Sequence, residues 1–81
     1  MKKTQRNRYK FILRCVAQVR AGQDPYEAFA AQYRQRRVRG LALTGGDHML
    51  IKNHLLDIAT APDPDAVKEP SWVKDPWPRK V

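Results

Sequence analysis

The sequence predicts an all-α fold, with a small three-helix domain and an extended C-terminal tail that contains prolines and tryptophans. Apolar residues recur at spacings of three and four in three segments, which is the pattern of helices with one buried face. Five of the six prolines follow residue 61, where the missing amide hydrogen excludes a regular helix. The predicted organisation is a basic three-helix domain over residues 1–60, with helices at 5–21, 25–39 and 47–60, and an extended tail over residues 61–81.

The first helix is predicted from an apolar stripe formed by Tyr9, Ile12, Leu13, Val16 and Val19. Lys10, Arg14 and Gln18 fall on the opposite, polar face. Gly22 follows the last apolar position and is predicted to be the left-handed residue that ends the helix.

The second helix carries the clearest local signal. Asp24 is placed as the N-cap, Pro25 as the first helical residue and Glu27 as the partner in a capping box. The stripe expected to face the core comprises Tyr26, Phe29, Ala30 and Tyr33.

The third helix is expected after a loop, "GLALTGGDH", in which Gly45 and Gly46 form a flexible point. Thr44 or Asp47 is the expected cap. The apolar set expected for this helix is Leu50, Ile51, Leu55 and Ile58, with Met49 and Leu56 beside it.

The net charge of +8 is unevenly distributed along the chain. Residues 1–40 hold eleven lysines and arginines against two carboxylates, a local charge of +9, whereas the tail has no net charge. Such an asymmetry indicates a polyanionic partner, either nucleic acid or an acidic protein surface.

The segment "RQRRVRG" at residues 34–40 concentrates this charge. Cations in the last turn of a helix complement its dipole. Four arginines exceed that need, and like charges repel, so contact with a partner is expected. The candidate contacts to nucleic acid or to an acidic partner are Lys2, Lys3, Arg6, Arg8, Arg14, Arg34, Arg36, Arg37, Arg39, Lys52 and Asn53.

Residues 11–33, "FILRCVAQVRAGQDPYEAFAAQY", resemble the first two helices of small helix-turn-helix DNA-binding proteins, including the transposase-like kind. In those proteins a hydrophobic helix that ends near glycine leads into a helix beginning x-x-E-A. The resemblance implies that Lys52 and Asn53 contact base edges and that the arginines of residues 34–39 contact phosphates. The chain departs from the pattern after Tyr33, because its next connection is longer than the short turn of that family.

Catalysis and cofactor binding are not expected. Cys15 is the only cysteine, and His48 and His54 are six residues apart, not the three or four of a helical zinc site. Reduced cysteine fits a cytoplasmic protein, and no apolar run is long enough to span a membrane.

The tail allows two interpretations. Trp72 and Trp77 either fold back over the helices or form a linear motif that binds a protein partner. A homodimer is one way in which so small a domain gains stability.

The favoured function is a non-enzymatic transcription regulator that contacts nucleic acid through the basic half. The alternative is a phage-type modulator of a host complex such as RNA polymerase, which it would bind with the arginine cluster and the tail.

Overall fold

The computed structural model describes residues 3–36, 43 and 45–74 of the chain. Within these residues the fold is all-α, as predicted, and the three main helices are present. The elements are α1 (Lys3–Arg20), α2 (Pro25–Arg36), α3 (Gly45–Thr60), a 3-10 turn (Pro64–Ala66) and a short helix α4 (Ser71–Lys74). None of the helices in the described ranges combines the length and the hydropathy that crossing a bilayer needs.

The helix boundaries lie close to the predicted ones, with one clear correction. The expected loop at Gly45 and Gly46 was wrong, because both residues belong to the first turn of α3. Asp47 is buried in that turn, where its negative charge is favourable near the helix N-terminus and offsets part of the cost of glycine, about 1 kcal/mol per residue. Thr44 and the predicted helical residues 37–39 lie outside the described residues.

The turn between α1 and α2 has the two signals that the sequence predicted. Gly22 has a φ of +107°, and the amide of Gln23 donates to the carbonyl of Gln18 at 2.9 Å, which closes α1 in a Schellman motif. Asp24 Oδ2 accepts hydrogen bonds from the amides of Tyr26 and Glu27, both at 3.1 Å. These bonds start α2 after a connection of only four residues, so the two helices form a hairpin.

The core lies where α1, α2 and α3 meet. Phe11 and Phe29 contact each other edge to face, with their ring centroids 5.5 Å apart, and Phe29 stacks on Tyr33 at 5.8 Å. The buried apolar residues are Phe11, Ile12, Cys15, Val16, Val19, Ala28, Phe29, Ile51, Leu55, Ile58 and Val73.

The buried face of α2 is rotated by one residue from the predicted stripe. Pro25, Ala28, Phe29 and Gln32 are buried, and among the predicted positions only Phe29 is. Tyr26 is 56% exposed and Ala30 is also exposed, so their assignment to the core was wrong. The small Ala28 side chain allows close approach of the helices, while an outward-facing tyrosine keeps its hydroxyl in water.

A similar correction applies to α1 and α3. Leu13 and Leu50 were expected on the buried faces but are 38% and 42% exposed, whereas Ile12 and Ile51, the residues next to them, are fully buried. Each helix buries a face centred on its β-branched residues, and the adjacent leucines lie at the edge of that face.

The described part of the tail packs on the helices. Val73 is a core residue at 1% exposure, and Trp72 is partly buried with its ring 6.0 Å from that of His54. Arg20 of α1 donates a hydrogen bond from Nη2 to the carbonyl of Val67 at 3.0 Å. The fold-back interpretation therefore holds for Trp72, while Trp77 lies outside the described residues.

Candidate nucleic-acid interface

The outward side of α1 carries a line of cations. Arg6, Lys10 and Arg14 are exposed and are spaced four residues apart. Each step advances about 6 Å along the helix and turns only about 40° around it, so the three side chains project from one side. No carboxylate among the described side chains forms an ion pair with any of them.

Arg34 extends this surface from α2. Gln18 of α1 and Ala31 of α2 line one shallow depression beside the turn between the helices. Arg14 lies one turn before Gln18, and Arg34 lies one turn after Ala31. Because the helices run in opposite directions, both steps lead the same way, which places Arg14 and Arg34 on the same side of the hairpin. We call this surface the cationic face, and it consists of Arg6, Lys10, Arg14 and Arg34.

Lys10 was not among the predicted contact residues. Its spacing of four from both Arg6 and Arg14 was the available signal, because residues at that interval share one side of a helix.

Arg8 does not belong to the cationic face. It is only 4% exposed, on the side of α1 that also carries Phe11, Ile12 and Cys15, and it makes contacts within the protein. The side chain is therefore not available for a phosphate in this conformation, so the structure does not support the expectation that Arg8 contacts a partner directly.

Lys52 and Asn53 lie on α3, not on the α1–α2 hairpin that carries the cationic face. The Nζ atom of Lys52 lies 5.1 Å from the centroid of the Phe29 ring, a cation–π contact within the protein. Asn53 is exposed beside a groove that Leu50 and Asp57 also line. Since α1 and α3 pack together by their buried faces, the outward side of α3 points away from that of α1.

The remaining predicted contacts fall outside the described side chains. Lys3 and Arg36 belong to α1 and α2 by their backbone. The described side chains do not include those of Lys2, Lys3, Arg36, Arg37, Arg39 and Trp77.

Two buried groups have perturbed acid–base properties. Desolvation raises the pKa of the Cys15 thiol to about 12, so the thiol stays protonated and a poor nucleophile. Burial also lowers the pKa of His54 from its ordinary value of 6.5, an effect that Asp57 and Glu69 oppose and Arg20 reinforces. The described residues contain no group of three or more His, Cys, Asp or Glu side chains arranged to hold a metal ion.

Comparisons with models of protein families, with curated proteins and with solved structures each gave no match. Function has to be inferred from the surface itself, and the cationic face is the surface with the most definite chemistry.

Proposed function

We propose that this protein is a small, non-enzymatic transcription regulator that acts in the cytoplasm and binds nucleic acid through the cationic face. The observation that carries the proposal is the placement of Arg6, Lys10, Arg14 and Arg34 on one side of the α1–α2 hairpin, exposed and without a described carboxylate partner. Exposed cations in a row are suited to the regularly spaced phosphates of a nucleic-acid backbone.

The distribution of charge over the described parts of the chain supports the same binding surface. Residues 3–36 contain eight cations and two carboxylates, whereas residues 45–74 contain three cations and five carboxylates. The protein is therefore electrically polar, with about +6 on the first two helices and about −2 on α3 and the described tail. A polyanion would attract the hairpin and repel the opposite side, which orients the protein before contact.

The geometry favours contacts to the backbone over reading of base edges. Lys52 and Asn53, the residues that the helix-turn-helix resemblance implied for base contact, belong to α3 and not to the hairpin that carries the cationic face. Arginine and lysine side chains that contact phosphates position a protein without selecting a sequence. We therefore expect binding to depend strongly on salt and weakly on sequence.

The test is the affinity of the full chain for duplex DNA as a function of salt concentration. If the cationic face and the arginines of residues 34–39 together neutralise about five phosphates, the logarithm of affinity falls against that of salt with a slope of about −4 to −5. Arg14→Gln should make the slope shallower by about 1, because one phosphate contact is lost.

The matched control is Lys68→Gln, which removes one exposed cation from the tail and should leave the slope unchanged. An affinity that barely changes with salt, or equal effects of the two variants, would exclude the cationic face as the binding surface. A pull-down from nuclease-treated lysate tests the alternative function. Capture of a transcription complex through the arginines, in the absence of nucleic acid, would indicate an acidic protein partner.

A further inference from the structure

The two exposed tyrosines of α2 differ in what surrounds them. Tyr26 and Tyr33 are 56% and 37% exposed, although the apolar pattern of the helix predicted both for the core. They are seven residues apart, close to two full turns, so both rings lie on the same side of α2, about 10 Å apart along its axis. A tyrosine offers a ligand a large, rigid contact area at a small cost in conformational entropy. The neighbours of each ring decide which ligand it suits.

The ring of Tyr33 is held in a fixed orientation by three other rings. It stacks on Phe29, with the ring centroids 5.8 Å apart and an angle of 14° between the planes. Phe11 and His48 meet it edge to face at 6.3 Å and 5.3 Å. More than a third of the residue nevertheless remains in solvent. A planar ligand that stacks on this ring therefore costs little additional ordering of the protein.

The charged groups placed close to Tyr33 are positive. Arg34 follows it in the chain, is exposed and belongs to the cationic face. The ammonium of Lys52 lies 5.1 Å from the centroid of Phe29, the ring on which Tyr33 stacks. Neither cation forms an ion pair with a described carboxylate. An exposed aromatic ring beside cations suits a single-stranded nucleic acid, because a base can stack on the ring while the cations contact phosphates.

Tyr26 has the opposite surroundings. Asp24 lies two residues before it and Glu27 directly after it, and the Asp24 carboxylate accepts hydrogen bonds from the amides of both Tyr26 and Glu27. Carboxylates at this end of the helix repel phosphates. Tyr26 is therefore unsuited to the same ligand, although its ring is the more exposed of the two.

We infer that Tyr33 is a stacking platform for one base of a single-stranded nucleic acid, whose phosphates contact Arg34 and Lys52. The inference rests on the proposed function, because it names the form of nucleic acid that binds there. In a duplex both faces of a base are covered by its neighbours, so only an unpaired base can stack on Tyr33. Stacking uses the face of a base and leaves its edges unread, in agreement with the weak dependence on sequence expected above.

The experiment measures the affinity of the full chain for one oligonucleotide without self-complementarity, as single-stranded DNA, as single-stranded RNA and as the DNA duplex with its complement. Tyr33→Leu keeps an apolar side chain against Phe29 but removes the aromatic face. It should weaken binding of the single strands about fivefold or more and leave binding of the duplex unchanged. Tyr33→Phe keeps the ring and should retain the parent affinities. A loss on only one of the two single strands would identify that nucleic acid as the ligand.

Tyr26→Leu is the matched control, since it removes an exposed tyrosine from the same side of the same helix and should leave every affinity unchanged. Circular dichroism checks that each variant is folded. Equal effects of Tyr33→Leu and Tyr26→Leu, or an equal loss on single strand and duplex, would overturn the inference. Salt-dependent binding of the duplex would in that case still support the cationic face. A parent chain that binds none of the probes would overturn the proposed function together with the inference.

Discussion

At the scale of the residue, Phe29 connects more of the core than its burial alone indicates. Its ring contacts those of Phe11, Tyr33 and His48 and lies 5.1 Å from the Lys52 ammonium. These neighbours come from all three main helices, so Phe29 is the side chain that joins them.

Phe29→Ala should therefore lower the free energy of unfolding by about 3–5 kcal/mol, enough to unfold much of so small a domain. Tyr26→Ala, on the same helix but exposed, should change it by no more than about 0.5 kcal/mol. Thermal unfolding followed by circular dichroism measures both, and equal effects of the two variants would show that α2 faces the other way.

His54 gives the second prediction at this scale. It is buried against Trp72, and desolvation lowers its pKa, with Arg20 acting in the same direction and Asp57 and Glu69 opposing. The unfolded chain therefore binds a proton more readily than the folded one. The contribution of His54 to stability is therefore fully present above its ordinary pKa of 6.5. It is lost as the pH falls through that value toward the lower pKa of the folded state.

Urea unfolding at a series of pH values between about 7.5 and 5 should show this loss in the parent chain. In His54→Gln the loss over that interval should be smaller, because the titrating group is gone. An equally steep loss in this variant would assign the pH dependence to other groups.

At the scale of the element, the N-cap fixes where α2 begins. Asp24 Oδ2 holds two amide groups at the start of the helix, and Pro25 is already set in the helical conformation. Asp24→Ala should lower the free energy of unfolding by about 0.5–2 kcal/mol through loss of these bonds.

Asp24→Asn is the matched variant, because asparagine caps a helix about as well as aspartate. Urea unfolding of the parent chain and both variants measures the effect, and Asp24→Asn should retain most of the stability that Asp24→Ala loses. If both variants lost the same amount, the charge of Asp24 rather than its hydrogen bonds would be the stabilising feature.

At the scale of the whole molecule, the tail contributes to the fold. Val73 belongs to the core, Trp72 covers His54, and Val67 accepts a hydrogen bond from Arg20. The pair between Arg20 and Asp65, at 3.9 Å with the carboxylate in solvent, adds little. The apolar contacts are therefore the main attachment of the tail.

Deletion of residues 62–81 should destabilise the helical domain, since burial of Val73 alone is worth about 1.5–3 kcal/mol and Trp72 adds to it. Deletion of residues 75–81 removes none of these contacts and should have a much smaller effect. Urea unfolding distinguishes the two, and a long deletion that left stability unchanged would mean that the tail is only loosely attached.

Local sequence signals determined the three main helices and the turn between the first two, but not the short helix α4. The cap at Asp24, the left-handed Gly22 and the apolar periodicity act within a few residues, so they could be read without the rest of the fold. The concentration of positive charge in the first half of the chain was equally plain, because charge counts do not depend on packing.

Only the tertiary structure decided which side of each helix is buried and which cations share a surface. Two stripes one residue apart on α2 share Phe29, and the packed structure buries the one with Ala28. The burial of Arg8 and the position of Asn53 beside a groove shared with Trp72 also depend on tertiary packing. Both features depend on contacts between residues that are distant in sequence. The periodicity within one helix carries no information about such contacts.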